Sequence, residues 1–97
     1  MLNIRDLKPG MDHLNIEVEV VEVSEPKKVT MGSGVKRDIL ELSVKDETGT
    51  IALVLWDDKI IQGLKVGDSL QIRNGFVTSY RGEWRINVGK HGEIKRT

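Results

Sequence analysis

Ser69-Leu70-Gln71-Ile72-Arg73-Asn74-Gly75-Phe76-Val77-Thr78-Ser79-Tyr80 is the stretch on which the reading of the fold turns. Leu70 and Ile72 alternate with Gln71 and Arg73, the period of a strand with one buried face, so the even positions point inward. Carried on without a break, that parity buries Asn74 and Thr78 and exposes Val77. A one-residue bulge at Asn74-Gly75 reverses it, because glycine takes positive φ freely and asparagine nearly so. Val77 then turns inward, and Phe76, Thr78 and Tyr80 join Gln71 and Arg73 outside. The second register satisfies more side chains and is the one the sequence favours.

The same period runs outward on both sides. Asn15 to Val23 carries Ile16, Val18 and Val20 on one parity and Val21 and Val23 on the other, a phase switch of the kind a bulge makes when a strand bends. Ser24 to Val35, with Pro26 and Gly32-Ser33-Gly34, reads as a loop. Leu40, Leu42 and Val44 mark a second strand, Asp46-Glu47-Thr48-Gly49 a tight turn, and Ile51 to Trp56 a third strand. Asp57 to Leu64 is the one substantial helix the sequence suggests, with a possible turn at Ile4 to Leu7 besides. Ser69 to Tyr80 is then the fourth strand, Arg81-Gly82-Glu83 a hairpin turn, and Trp84 to Lys90 the fifth strand. Five strands with a short helix between the third and fourth is the order of an OB-fold barrel. The expected class is all-β, a five-stranded OB-fold barrel, against a five-stranded open sandwich as the rival.

Ninety-seven residues make one domain, expected over 1–97, with a modest core. No run of about 18 apolar residues is present to span a membrane. Met1 to Gly10 lacks the apolar stretch of a signal peptide. Without cysteine there is no disulfide framework and no thiolate zinc site, which fits a soluble intracellular protein. The formal charge is +0, but it is unevenly spread. Acidic residues prevail over 1–25 and 46–70. Lys27, Lys28, Lys36, Arg37 and Lys45 outnumber the acids over 26–45, as Arg73, Arg81, Arg85, Lys90, Lys95 and Arg96 do over 71–97. If these two basic segments meet, one face is basic.

Aromatic residues number four: Trp56, Phe76, Tyr80 and Trp84. Exposing two or three of so few needs a reason, and nucleobases supply one, since a base stacks on a ring for about 1–3 kcal/mol whatever its identity. The competing reading has Phe76 and Tyr80 capping one end of the core. Trp56 has the opposite parity to Ile51, Leu53 and Leu55 and ends its strand beside Asp57 and Asp58. Trp84 shares parity with Ile86 and Val88, so it is both a fourth stacking candidate and a candidate cover for the barrel end. Other constellations carry little. Gly32-Ser33-Gly34 lacks phosphate-loop spacing and a following helix, and the acidic pairs suit a turn and a helix start. His13 and His91 stand alone, so no metal or other cofactor is expected, and no nucleophile–base grouping suggests an enzyme.

Leu7-Lys8-Pro9-Gly10-Met11, the segment from Val18 to Ser24-Glu25-Pro26, Asp46-Glu47-Thr48-Gly49-Thr50, Leu55-Trp56 and Lys65-Val66-Gly67-Asp68 together resemble the archaeal single-stranded-DNA-binding proteins and the related replication protein A OB domains. Ile72 to Gly89, with Asn74-Gly75-Phe76 and Asn87-Val88-Gly89, fits the same pattern. The resemblance implies base stacking on an aromatic at the end of the third strand and on two along the fourth, positions that match Trp56, Phe76 and Tyr80. It implies single-stranded DNA as partner, bound with little sequence preference in replication or repair. A nucleoid-associated location and other replication protein A-like subunits are further expectations. The Gly/Arg-rich or acidic tail of simple members and the zinc finger of larger ones are not found, as in one OB domain excised from a longer protein. In such barrels the ligand crosses the middle strands between two loops, which assigns Lys28, Lys36, Arg37, Arg73, Arg81 and Arg85 to the nucleic-acid backbone. About three neutralised phosphates give a log–log salt slope near −2. Two other readings stay open: an RNA-binding OB domain, and a protein-interaction OB domain using the same rings as an apolar patch.

Overall fold

Alternating β-branched residues build most of the chain into strands in the computed structural model, which describes residues 2–97. Met1, the first residue of the expected domain, lies outside the described residues. The strands are β1 (Leu14–Val23), β2 (Lys27–Thr30), β3 (Lys36–Asp46), β4 (Gly49–Trp56), β5 (Ser69–Tyr80), β6 (Glu83–Val88) and β7 (Glu93–Arg96). Five of them run in the order β1-β3-β4-β6-β5, and β1 also pairs with β5, which closes the barrel. Only β4 and β6 are parallel among the paired strands. This is the five-stranded OB-fold barrel that the alternation predicts. Ile16, Val18, Val20, Leu42, Val44, Leu53, Leu55, Leu70, Ile72, Val77, Ile86 and Val88 fill it.

Both phase switches are bulges. In β1 the pairing with β3 shifts between Val20 and Glu22, leaving Val20 buried and Val21 exposed. In β5 the register passes from Ile72 opposite Ile16 to Gly75 opposite Leu14, three residues against two. Asn74 sits at the step with φ 56°, a left-handed conformation that asparagine accepts better than most residues. Val77 is consequently 2% exposed and Phe76 38%.

Three expectations are corrected. The short helix expected between the third and fourth strands is present, but as a single 3-10 turn over Asp57–Lys59 rather than an α-helix over Asp57 to Leu64. Eight residues are too few to offset helix nucleation alone, and the Asp57 carboxylate caps nothing because Arg37 and the Asp38 amide occupy it. Ile60, Ile61 and Leu64 still pack on the core. The loop over 24–35 contains β2, which lies along Lys36–Ile39 as an arm projecting from the barrel. Lys-Lys-Val-Thr has no alternation to betray it, since an edge strand with both faces largely wet needs none. Finally, the last strand stops at Val88, and β7 follows as a further strand on β5.

One end of the barrel is closed by a 3-10 turn over Ile4–Asp6, with Ile4 and Leu7 buried beneath it. The Asp46-Glu47-Thr48-Gly49 turn holds this lid. Asp46 Oδ2 accepts the Ile4 amide (2.8 Å), and its Oδ1 accepts the Thr48 amide (2.7 Å) and hydroxyl (2.6 Å). Desolvation raises the Asp46 pKa, but hydrogen bonds from the Thr48 hydroxyl and the Ile4, Thr48 and Gly49 amides together outweigh it and leave it below the ordinary carboxylate value. A group lowered on folding stabilises above its unfolded pKa, about 3.9, and loses that contribution as pH falls through the lower folded value. Asp46→Asn is therefore expected to cost about 1 kcal/mol at pH 7, about 4–8 °C in Tm. The gap from the parent should close on acidification below pH 4, as thermal melts across pH will show.

Candidate nucleic-acid interface

Cross-strand neighbours share a face of a sheet, and the registers gather one set of outward side chains. Phe76 lies opposite Asn87, Thr78 opposite Arg85 and Tyr80 opposite Glu83. Val54 lies beside Asn87 across the parallel pair, and opposite Glu41 on β3, where Trp56 faces Ile39. Of these, Ile39, Glu41, Val54, Trp56 and Asn87 floor a groove of about 530 Å³. The β2 arm forms one wall with Lys27, Val29 and Met31, while Thr78, Tyr80 and Arg85 form the other. Next to it is a depression of about 510 Å³ around Phe76, flanked by Met11, His13, Lys90 and His91. Thr78 lines both, so the two form one path along β5.

The indole of Trp56 is fixed from below. Its Nε1–H donates to Asn87 Oδ1 (3.1 Å), and Asn87 Nδ2 donates to Thr78 Oγ1 (2.9 Å). Asn87 is 4% exposed, so this bridge satisfies a polar group that would otherwise be costly to bury. Above the ring lies the guanidinium of Arg37, 4.8 Å from the centroid. Arg37 donates through Nε to Asp57 Oδ2 (2.6 Å), with its Nη2 also 2.6 Å from that oxygen. The Arg37 hydrogen bond, first among several causes, holds the Asp57 carboxyl below its ordinary value. On the far wall, Arg81 and Arg85 each lie 5.2 Å from the Tyr80 centroid. Arg81 and Gly82 are the two centre residues of the β5–β6 hairpin, at φ 53° and 81°. That turn prefers Asn-Gly, so an arginine there is strained.

Most cations at the groove are already paired. Lys27 bridges Glu41, and Arg85 reaches Glu83 (3.0 Å) and Glu41 (3.7 Å). On the arm's other face Lys28 bridges Asp38 (2.7 Å), and that hydrogen bond raises the Lys28 pKa. Among the described residues no ion pair involves Arg81 or Lys36. The expected basic face is thus a mosaic of both signs.

The structure brings together Trp56, Phe76, Tyr80, Arg37, Arg81 and Arg85 and separates the other candidates. Trp84 pairs with Ser79, on the inward parity, and lies at the barrel end beside Ile4 and Ile51, off the platform though 49% exposed. Arg73 pairs with Glu93 of β7 and shares a separate depression with Gln71 and Lys95, because the bulge that exposes Phe76 comes after it. Lys28 and Lys36 alternate with the groove-facing Val29 and Arg37, so they occupy the outer face of the arm. Reading the sequence missed Asn87, Lys27, Met31, Glu41 and Asp57. The polar Asn87 between Ile86 and Val88 was the one local signal; the rest needed the β2 arm.

Residues 7–96 match the family model described as single-stranded DNA binding protein Ssb-like, OB fold. This chain belongs to that family. It is 36% identical over 91 residues to the single-stranded DNA binding protein Ssb of Saccharolobus solfataricus, covering 94% of this chain and 60% of that protein. Replication factor A of Methanothermobacter thermautotrophicus is 32% identical over 97 residues, covering 95% of this chain and 12% of the relative. The Ssb-like chain thus spans only part of the length of both. Among solved structures, the second OB-fold domain of replication protein A from Methanococcus maripaludis superposes with a TM-score of 0.81 at 27% identity, covering 98% of this chain and 92% of that one. An OB domain from Thermoplasma acidophilum gives 0.81 at 18% identity, with 99% and 85% covered, which shows the shared fold.

Within this Ssb-like platform, Asn87 carries the orientation of Trp56. Asn87→Leu, tested with Trp84→Phe so that one indole remains, strands the Nε1–H and the Thr78 hydroxyl. A loss of about 1–3 kcal/mol in stability is expected, together with a lower fluorescence anisotropy for Trp56. An unchanged anisotropy would show that packing alone orients the ring.

Proposed function

We propose that this domain binds single-stranded DNA with little sequence preference, by stacking bases along a path over Trp56, Tyr80 and Phe76. The observation that carries this is the continuity of the three rings on one grooved face, with Trp56 anchored through Asn87 to Thr78 at the centre of the path. Each stacked base contributes about 1–3 kcal/mol. The Trp56 Nε1–H is spent on Asn87, so that ring offers its π-face rather than a sequence-reading donor. Thr78 accepts from Asn87, which leaves its own hydroxyl proton for a base-edge acceptor or a phosphate. Arg81, strained and without an ion pair among the described residues, suits a phosphate beside Tyr80.

Family membership makes this a binding module rather than an enzyme. The relatives, a single-stranded DNA binding protein and a replication factor, support a role in replication or repair inside the cell, at the nucleoid. The same relatives support reading residues 1–97 as one OB domain able to work beside others, as in a replication protein A-like assembly. Among the described residues no helix is long and apolar enough to cross a membrane.

Trp56 fluorescence in a Trp84→Phe background, titrated with short dT and rU oligomers, tests the proposal. Quenching by dT is expected, with Trp56→Ala weakening binding about 10- to 100-fold in a labelled-oligonucleotide assay. A preference for rU moves the ligand to RNA, and no response to either moves the rings to a protein contact. Because most groove cations are paired, the log–log salt slope should be about −1 to −2. Arg81→Asn should separate stability from binding. It relieves a left-handed arginine and is expected to raise stability by about 1 kcal/mol, while weakening dT binding. A variant that binds as before would take Arg81 out of the interface.

A further inference from the structure

The face of Trp56 that a base would use is partly taken by this protein's own Arg37, and Arg37 is held there by a carboxylate. The guanidinium stacks 4.8 Å from the indole centroid while Nε and Nη2 both lie 2.6 Å from Asp57 Oδ2. A carboxylate oxygen gripped by a guanidinium in this way offers the same chemistry as a phosphate oxygen. The backbone is bent to place it: Asp57 sits at φ 48°, immediately after Trp56, and its other oxygen accepts the Asp38 amide (3.0 Å). Strain of this kind collects at sites where a conformation is imposed for use.

We propose that Asp57 is an internal competitor for nucleic acid, holding Arg37 over Trp56 in the free protein and yielding it to a strand phosphate when a base takes the ring. The proposal rests on the nucleic-acid reading above. The exchange needs no new charge: one ion pair is traded for another, Arg37 leaves the ring face, and stacking on the indole drives the swap. Its consequence is a platform that holds a strand more weakly than its cations alone allow. Asp57 is the charged group paired with Arg37; Asp38 reaches that carboxylate through its amide, while the Asp38 and Lys28 side chains pair with each other on the arm's other face.

Asp57→Asn tests this without disturbing the turn. Asparagine tolerates left-handed φ, and its carbonyl oxygen still accepts the Asp38 amide. In the Trp84→Phe background, the variant should show greater acrylamide quenching of Trp56 without ligand, since the charge that pins Arg37 is gone. It should bind dT about two- to fivefold more tightly at low salt, with a log–log salt slope steeper by about 0.7, one more free cation. Asp58→Asn removes the same charge one residue away, from an exposed side chain with no ion pair among the described residues, and should leave binding unchanged. Asp57→Asn binding that is equal or weaker, while the Trp84→Phe parent binds, overturns the competition and leaves the proposed function standing. An equal gain from Asp58→Asn also overturns it, by reducing the effect to net charge. If neither the parent nor Asp57→Asn binds dT or rU, the nucleic-acid reading itself falls and the competition falls with it.

Discussion

Reversal of side-chain parity at Asn74–Gly75 is the constraint on which the rest of this structure depends. Upstream of it, β5 pairs with β1 and buries Leu70 and Ile72; downstream it pairs with β6, buries Val77 and presents Phe76, Thr78 and Tyr80. The bulge is tied in place from both sides. The Asn74 amide donates to Asn15 Oδ1 of β1 (3.1 Å), and its side-chain Nδ2 donates to the His91 carbonyl (3.0 Å). Gly75 is closely confined: a Cβ there would lie 3.1 Å from Ile72 Cγ2 and 3.3 Å from the Asn87 carbonyl oxygen, so its neighbours would have to give by a few tenths of an ångström. The same backbone approach therefore seats β6, and with it the Asn87 side chain under Trp56. Barrel closure and platform geometry are one feature, so neither can change alone.

Strain and charge both concentrate on the candidate surface. The four non-glycine residues with positive φ among those described are His13, Asp57, Asn74 and Arg81. His13 and Asn74 border the Phe76 depression, Asp57 grips Arg37, and Arg81 overhangs Tyr80. Each sits at a cost that a surface of no use would have little reason to carry. The charges follow a similar logic. Cations that could grip phosphate are matched by Glu41, Glu83, Asp38 and Asp57, so the rings carry more of the proposed affinity than counterion release does. A surface built this way suits binding that must be reversible along a strand.

The alternation over Ser69–Tyr80 made the bulge, the inward Val77 and the outward Phe76 and Tyr80 legible, because a two-residue period leaves a polar residue in the core whenever the register is wrong. Trp56 was legible for the same reason, as the even parity of a strand whose other face is Leu53 and Leu55. Arg73 lies apart from the rings because outward means different things on the two halves of a curved strand, and only β7 decides which flank the first half faces. Lys28, Lys36 and Arg37 were all chosen by charge; the arm's own parity keeps Arg37 on the groove side, adds Lys27, and turns Lys28 and Lys36 to the other face.

What the sequence determined by itself was local: strand period, bulge sites, turn chemistry, and which residues a single sheet face must hide. Tertiary structure alone decided which outward faces meet. The Asn87 bridge to Trp56 and the Arg37–Asp57 clamp join residues 31 and 20 positions apart. No short-range pattern encodes such contacts, because their energy comes from pairing polar groups that barrel closure desolvates together.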